Sequence, residues 1–423
     1  MVSHATTALV QGSPDPLQRG TLWLVGGRVA IDARTAVRAD IEIRGRLIRT
    51  ITAPPETVAR DHAATPTETV DLSGYLILPG LINAHDHLEF NLFPRLGNGP
   101  YKNCEEWAAD IYKPDRSPVR EHLAVPEAIR LWWGGLKNLL AGVTTASHHN
   151  PYIAEVFEAD FPVRVVKRFA WSHSLAFGNN VQKVFPSASK DGPYIIHLGE
   201  GTDAQSAEEI FTLRKLGALN SRTVIVHGVG LDATGHALLE KYGAALVWCP
   251  TSNLFTLGKT LDFQTVASCR RMALGNDSAL TAQGDLLDEI RYAHQQRGIS
   301  PERAYSLVTD LAADVLRLQG GEGTLRPGAR ADLIALEYTG KSPGETLAET
   351  RFANVELAMI AGEPKLYSPA MAARWPEESC AGFEPLSVGG ILRLVRAPVA
   401  WLITEARRHL GRRICLAGRE IGL

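Results

Sequence analysis

The 423-residue chain carries 44 Lys and Arg against 46 Asp and Glu, a net charge of −2, with 45% hydrophobic residues. That balance gives no basic footprint for nucleic acid, and without an 18-residue apolar run no transmembrane helix is expected. Five scattered cysteines (Cys104, Cys249, Cys269, Cys380, Cys415) with no C-x-x-C pair offer no disulfide framework and fit a reducing, cytoplasmic compartment.

The first 19 residues hold Pro, Ser, Asp and Gln without an apolar core and read as a loose tail, not a signal peptide. Residues 21–52 alternate apolar and polar side chains, punctuated by Gly26-Gly27 and Gly45, and predict short antiparallel strands. Residues 53–68, rich in Pro, Thr and Ala, read as a loop. The apolar run from Tyr75 through Pro79-Gly80 to Ala84 predicts a buried strand ending in His85-Asp86-His87. Alternation along a strand turns His85 and His87 to one face, where two imidazoles suit a single metal ion.

From there helical patterns alternate with short apolar strands. Helices are predicted over 127–141, 204–216, 235–242, 286–297 and 301–318. Strands are predicted over 143–149, 163–171, 194–197, 223–227, 244–248 and 272–277. Repeated units of this kind predict a parallel sheet and, in a long run, a TIM-like (β/α)8 barrel, α/β in class. Only seven strands are clear, and Trp171 lies close before Tyr194, so the fourth unit is expected to be short or degenerate.

Residues 323–368 return to strand-like alternation and are expected to complete the N-terminal sheet as a small β-sandwich built from both ends of the chain. The expected boundaries are 20–74 and 323–368 for the small β domain, 75–322 for the barrel and 369–423 for a C-terminal extension. Within the extension, Ile391–Leu423 holds seven Arg and two Glu, net +5, which leaves −7 on the rest. Leu392, Val395, Val399, Leu402, Ile403 and Leu410 recur at roughly helical spacing, and Pro398 divides the stretch into two shorter amphipathic pieces. Such a tail can cover apolar surface of its own protein with its arginines reaching water, or it can lie on an anionic membrane or an acidic partner. The acidic body favours the first.

In a barrel, reactive groups gather where the strands end. Predicted strand ends present His85 with His87, His197, His227 and Asp277. Three imidazoles and a carboxylate suit Zn²⁺ or Fe²⁺. Glu200, three residues after His197, either shuttles protons there or opens the next helix as a favourable acidic residue. Glu89, Phe90 and Asn91, just past the H-x-H strand, and His148, His149, Trp171 and His173, at the next strand ends, are candidates for substrate contact or for scaffold.

Leu78-Pro79-Gly80-Leu81-Ile82-Asn83-Ala84-His85-Asp86-His87, His197-Leu198-Gly199-Glu200, Val226-His227-Gly228-Val229-Gly230-Leu231, Trp248-Cys249-Pro250-Thr251-Ser252-Asn253 and Leu274-Gly275-Asn276-Asp277-Ser278 follow one another in this order. Together, over roughly residues 20–368, they resemble the amidohydrolase superfamily, in its branch of cytosine deaminase, guanine deaminase and atrazine chlorohydrolase. The resemblance implies one divalent metal, zinc before iron, on His85, His87, His197 and Asp277. It implies Glu200 as general acid/base, His227 facing the substrate or the attacking water, and Asp277 as a second proton acceptor. Some relatives bridge two metals with a carboxylated lysine; Lys167 is the candidate here, and a surface lysine is its plainer reading. The expected activity is hydrolysis of a non-peptide C–N bond in a small molecule, with deamination of a nitrogenous heterocycle favoured. Amidase-type or cyclic-amide hydrolysis is the alternative, and a non-catalytic metal-binding scaffold the remote one. A homodimer is left open.

Overall fold

The computed structural model describes residues 20–53, 67–177, 180–187 and 189–422. The tail expected over the first 19 residues, and most of the loop expected over 53–68, lie outside them.

The apolar run leading to His85 does not form one strand. It divides at Gly80 into Tyr75–Pro79 and Leu81–Asp86, which enter different sheets. Tyr75–Pro79 pairs with Leu333–Glu337 on one side and Arg28–Ala30 on the other. Leu81–Asp86 pairs in parallel with Val143–His148. A Cβ on residue 80 would lie 2.2 Å from Thr144 Oγ1, so the crossing between sheets requires glycine.

Eight parallel strands position the site: β1 (Leu81–Asp86), β2 (Val143–His148), β3 (Arg164–Val165), β4 (Ala170–Ser172), β5 (Tyr194–Leu198), β6 (Thr223–His227), β7 (Ala245–Trp248) and β8 (Met272–Leu274). They form two arcs, β3-β2-β1 and β4-β5-β6-β7-β8, in a TIM-barrel-like α/β arrangement. Ile82, Ala84, Ile195, Val224, Val226, Val247 and Ala273 pack together as a dry layer between the arcs. Past β8, Asn276 N and Asp277 N both donate to His85 O, at 3.1 and 3.0 Å, and tie β8 to β1.

Two expectations are corrected here. The single strand expected over 163–171 is two, β3 and β4, with no helix between them. Exposed Lys167 and Arg168 interrupt the buried pattern. The third unit thus lacks a helix, the fourth is short as expected, with Ala170–Ser172 followed by the seven-residue helix Val181–Ser187, and the eighth strand is accounted for. The helix expected over 301–318 is also two, Pro301–Ser306 and Asp310–Val315. At the break, Leu307 O accepts from Leu274 N (2.9 Å) and Val308 O from Ile82 N (2.8 Å), so the unwound turn serves the β8/β1 seam.

The strands outside the arcs make a four-stranded and a ten-stranded sheet. Leu24, Ile41 and Val70 of the first share one apolar cluster with Ile77, Leu333, Leu357 and Tyr367 of the second. The C-terminal extension joins the ten-stranded sheet through Glu384–Val388, Ile391–Val395 and Arg419–Gly422. Its expected pair of helical pieces is instead a strand, Ile391–Val395, followed by a helix, Val399–Leu410. The Gly389-Gly390 turn makes a hairpin in which Leu392 points out and Arg393 in. Buried Arg393 donates to Val355 O and Ala353 O, at 2.9 and 2.6 Å. Leu402, Ile403 and Ala406 of the helix are buried, and Arg419 pairs with Asp285 and Asp288. The tail thus covers its own protein. No helix of the described residues is long and apolar enough to cross a membrane.

Candidate metal centre and active site

Three imidazoles converge beyond the ends of β1 and β5. His197 Nε2 lies 3.2 Å from His85 Nε2 and 3.3 Å from His87 Nε2. Asp277 Oδ1 stands 3.7 and 3.9 Å from His85 Nε2 and His87 Nε2. A tetrahedral zinc with bonds near 2.1 Å holds its donor atoms roughly 3.4 Å apart. His85, His87, His149 and His197 bring four donor atoms within 4.8 Å of one another, and His85, His227 and Asp277 bring three, so the cluster can hold a divalent ion. Burial keeps His85 and His197 well below the usual imidazole range and lowers His87 to about 4, so all three are neutral and offer lone pairs.

Each donor is aimed by a neighbour. His197 Nδ1 donates to His173 O at 2.8 Å, which leaves Nε2 unprotonated. Asp277 has φ of 58°, in the left-handed region. Its Oδ2 accepts from Ser252 Oγ at 2.6 Å and Thr281 Oγ1 at 3.0 Å, leaving Oδ1 for the histidines. Burial raises its pKa, but His87, His227 and the two hydroxyls outweigh burial and hold it below the usual carboxylate value. His227 Nδ1 donates to Asn253 Oδ1 at 2.7 Å, so Nε2 faces the cavity, 3.6 Å from Glu200 Oε1. Burial raises the pKa of Glu200, while His227 pulls it the other way.

A buried charge network lies behind the histidines. Asp86 accepts from Lys137 Nζ at 2.9 Å, Asn91 Nδ2 at 2.9 Å and Asn138 Nδ2 at 2.7 Å, and Lys137 also reaches Asn276. A paired and hydrogen-bonded buried lysine is tolerable where a lone one is not. The network ties the Glu127–Leu140 helix to both strands of the β1/β8 seam at their C-terminal ends. Sequence reading missed Lys137, Ser252 and Asn253 as participants. Their signals were a lysine on an otherwise apolar helix face and two polar residues inside Pro250-Thr251-Ser252-Asn253.

The cavity above the site holds about 300 Å³. Phe90, Trp107, Phe177 and Leu280 wall it, with Cys104, His173 and Ser278, opposite Glu200, His227 and Asp277. Trp107 comes from a helix, Cys104–Ile111, that no expectation included; its signal was the capping pattern Asn103-x-x-Glu106.

Of the candidate substrate contacts, Phe90 and His173 line this cavity, while Glu89, Asn91, His148, His149 and Trp171 do not and are corrected to supports. Asn91 is fully buried and donates to Asp86 and to the carbonyls of His87 and Leu88. Glu89 is buried against Asn150, with His148 Nδ1 3.7 Å from it. His149 stacks on His197 at 4.2 Å and donates to Ser172 O, and Trp171 packs on the edge of His149. Lys167 is exposed and pairs with Glu158, so it bridges no metals.

Fold and site together define a metal-dependent hydrolase of non-peptide carbon–nitrogen bonds. The model of the Amidohydrolase family matches residues 181–365 and bears out the resemblance read from the motifs. The 5-methylthioadenosine/S-adenosylhomocysteine deaminase of Pyrococcus furiosus is 25% identical over 415 residues, 78% of this chain and 93% of that protein. The protein of the same description from Saccharophagus degradans is 25% identical over 330 residues, 64% of this chain and 73% of its own. Among solved structures, a zinc-bound adenosine deaminase from Xanthomonas campestris superposes with a TM-score of 0.70 at 19% identity, over 92% of this chain and 97% of that one. The zinc complex of atrazine chlorohydrolase from Arthrobacter aurescens gives 0.68 at 16%, over 92% and 100%. At these identities the two structures speak for the fold alone.

Proposed function

We propose that the chain is a zinc-dependent deaminase of a small planar nitrogenous heterocycle, with purine nucleosides the first class to try. The observation that carries this is the cavity wall. Three aromatic side chains and Leu280 face Glu200 and His227, and among the described residues no Arg or Lys lines the space. Aromatic faces suit a stacked heterocycle. An amidase-type hydrolase of carboxylate-bearing substrates calls for a cation there, because carboxylates are held by charge-assisted bonds. The names of the relatives, deaminases of adenosine thioethers, point the same way.

His85, His87, His197 and Asp277 would hold the metal. When bound, it supplies a Lewis acid and a water acidic enough to give hydroxide near neutral pH. The chain's own residues do the remainder. Asp277, braced on Oδ2 by Ser252 and Thr281, accepts a proton on its carboxylate. Glu200 as carboxylate takes a proton from the attacking water, its burial strengthens its hold on that proton, and it gives the proton to the leaving nitrogen. His227 presents Nε2 to the developing charge, with its ring orientation set by Asn253. The aromatic walls hold the ring and exclude bulk water, and the products are the oxygenated heterocycle and ammonia.

In the same reading the two arcs form one closed (β/α)8 barrel with its working residues following β1, β5, β6 and β8, flanked by a β-sandwich from both chain ends. The pairing of Tyr75–Pro79 with Leu333–Glu337 supports moving the domain boundary from residue 75 to Gly80. The compartment proposed is the cytoplasm. Zinc-reconstituted protein offered purines, pyrimidines, pterins and triazines should release ammonia from at least one aromatic amine. Activity confined to amides, or no release at all, overturns the reading.

A further inference from the structure

We propose that Glu209 relays protons between Glu200 and solvent through a water-sized chamber behind the active site. This rests on the reading of Glu200 as the proton carrier. Glu200 and Glu209 wall one chamber of about 10 Å³, with Asn103, Cys104, Glu105, Ser174, Gln205, Ser206 and, toward the metal site, His197. That is room for a single water with polar partners on several sides. The chamber shares Cys104, His197 and Glu200 with the substrate cavity, whose wall includes neither Glu209 nor Gln205.

Glu209 stands on the Ala204–Lys215 helix that follows β5. Its Oε2 accepts from Gly199 N at 2.6 Å. That bond fixes the carboxyl beside the chamber and leaves the second oxygen for exchange. The outer rim is Gln205 and Glu105, whose side chains meet at 3.3 Å. Gln205 is exposed and Glu105 and Glu209 are half-buried, so this side leads to water. On the inner side the Cys104 thiol bonds Glu200, Cys104 N donates to Glu200 O at 3.0 Å, and Cys104 lines both chamber and cavity. The carboxylates facing Glu209 are Glu200, Glu105 and Asp203, and the Cys104 thiol and the His197 imidazole line the same chamber. Burial first, and these carboxylates after it, push Glu209 up to about 7. A carboxyl in that range both takes and gives protons near neutral pH.

The step is a proton transfer alone. Protonated Glu200 loses its O–H proton through the chamber to the Glu209 carboxylate, Glu200 becomes ionised, and Glu209 passes the proton to solvent. The reverse sequence recharges Glu200. With substrate filling the cavity, this rear route resets Glu200 without opening the mouth. Glu209 touches no substrate; it sets the protonation of a residue that does.

Glu209→Gln keeps an oxygen for Gly199 N and removes the exchangeable proton. The probe is the panel compound that releases ammonia fastest. Zinc content and thermal midpoint should match wild type. Turnover at saturation should fall about tenfold, less than the about 10²–10⁴ expected for losing the carrier itself. Imidazole buffer should restore the loss in proportion to its concentration, while wild type ignores it. Wild-type turnover in Glu209→Gln, or a loss that buffer does not restore, overturns the relay when Glu200→Gln is inactive. If Glu200→Gln turns over normally, or no panel compound reacts, the parent reading falls and the relay with it. Should Glu209→Gln not fold, the proton inventory of wild type decides: a curved dependence on D₂O fraction supports a multi-proton relay, and a linear one overturns it.

Discussion

Asp277 divides its two oxygens between two tasks, one toward the histidines and one toward Ser252 and Thr281. Hydroxyls that orient a ligand typically govern about 10–100-fold in metal affinity. Ser252→Ala should weaken zinc binding by about that factor in a chelator competition, with the thermal midpoint of the metal-free protein little changed. Unchanged affinity would show that Asp277 holds its pose without the hydroxyl. Glu200→Gln preserves shape and should retain the metal while losing about 10²–10⁴ in turnover. Turnover within about threefold of wild type would make Glu200 a helix-start residue only. Deeper in, burial pushes Glu289 up to about 8, although Thr251 and Asn276 donate to it. A carboxyl whose folded pKa is raised favours the fold while both states are protonated, below about 4.5. That contribution is lost as pH rises toward about 8. Denaturant midpoints should therefore fall between pH 5 and pH 8.5, and Glu289→Gln should flatten the decline; an identical slope in the variant would contradict the assignment. The histidine cluster was legible because each of His85, His197, His227 and Asp277 closes or follows a short apolar run, and strand ends are where a barrel gathers its chemistry. Lys137, Ser252 and Asn253 were illegible because their meaning lies in partners distant in sequence.

At the scale of elements, the helix Glu127–Leu140 packs so closely on the turn after β1 that a Cβ on Gly134 would lie 2.1 Å from Leu88 O. The obstacle is backbone, one residue from His87, and cannot rotate away. Gly134→Ala should destabilise the fold by about 1–3 kcal/mol, in the usual range for overpacking, and lower zinc content through displacement of His87. Normal stability and full metal would show that the two elements separate freely. This contact is invisible in the sequence, where Gly134-Gly135 looks like a weak point in a helix. Strand rhythm was more legible than strand count. A run such as 163–171 keeps its apolar character across β3 and β4, and only the exposure of Lys167 and Arg168 shows where the chain turns. Similarly, helical spacing over 391–410 held for Val399–Leu410 but misled before Pro398, where a glycine pair makes a hairpin and an arginine takes the buried position.

For the whole molecule, the C-terminal extension continues the large sheet and buries a helix face, so its positive charge meets the acidic body and needs no membrane for cover. Ending the chain after Pro385 removes the buried Arg393, the Leu402 and Ile403 face and the Arg419 pair. It should lower the thermal midpoint or the solubility without touching a metal-site residue; co-sedimentation of the full-length protein with anionic liposomes, lost on truncation, would favour the membrane alternative. The broad plan, strands at both ends around alternating strand–helix units, was readable from periodicity. The division of one apolar run between two sheets at Gly80 was not, because it depends on Thr144 across the sheet. The central claim is that His85, His87, His197 and Asp277 form one mononuclear metal site. Elemental analysis of purified protein tests it most directly. Near one equivalent of zinc or iron per chain, mostly lost in His85→Ala and in Asp277→Ala, is the predicted result; no retained metal, or two tightly held equivalents, would contradict it.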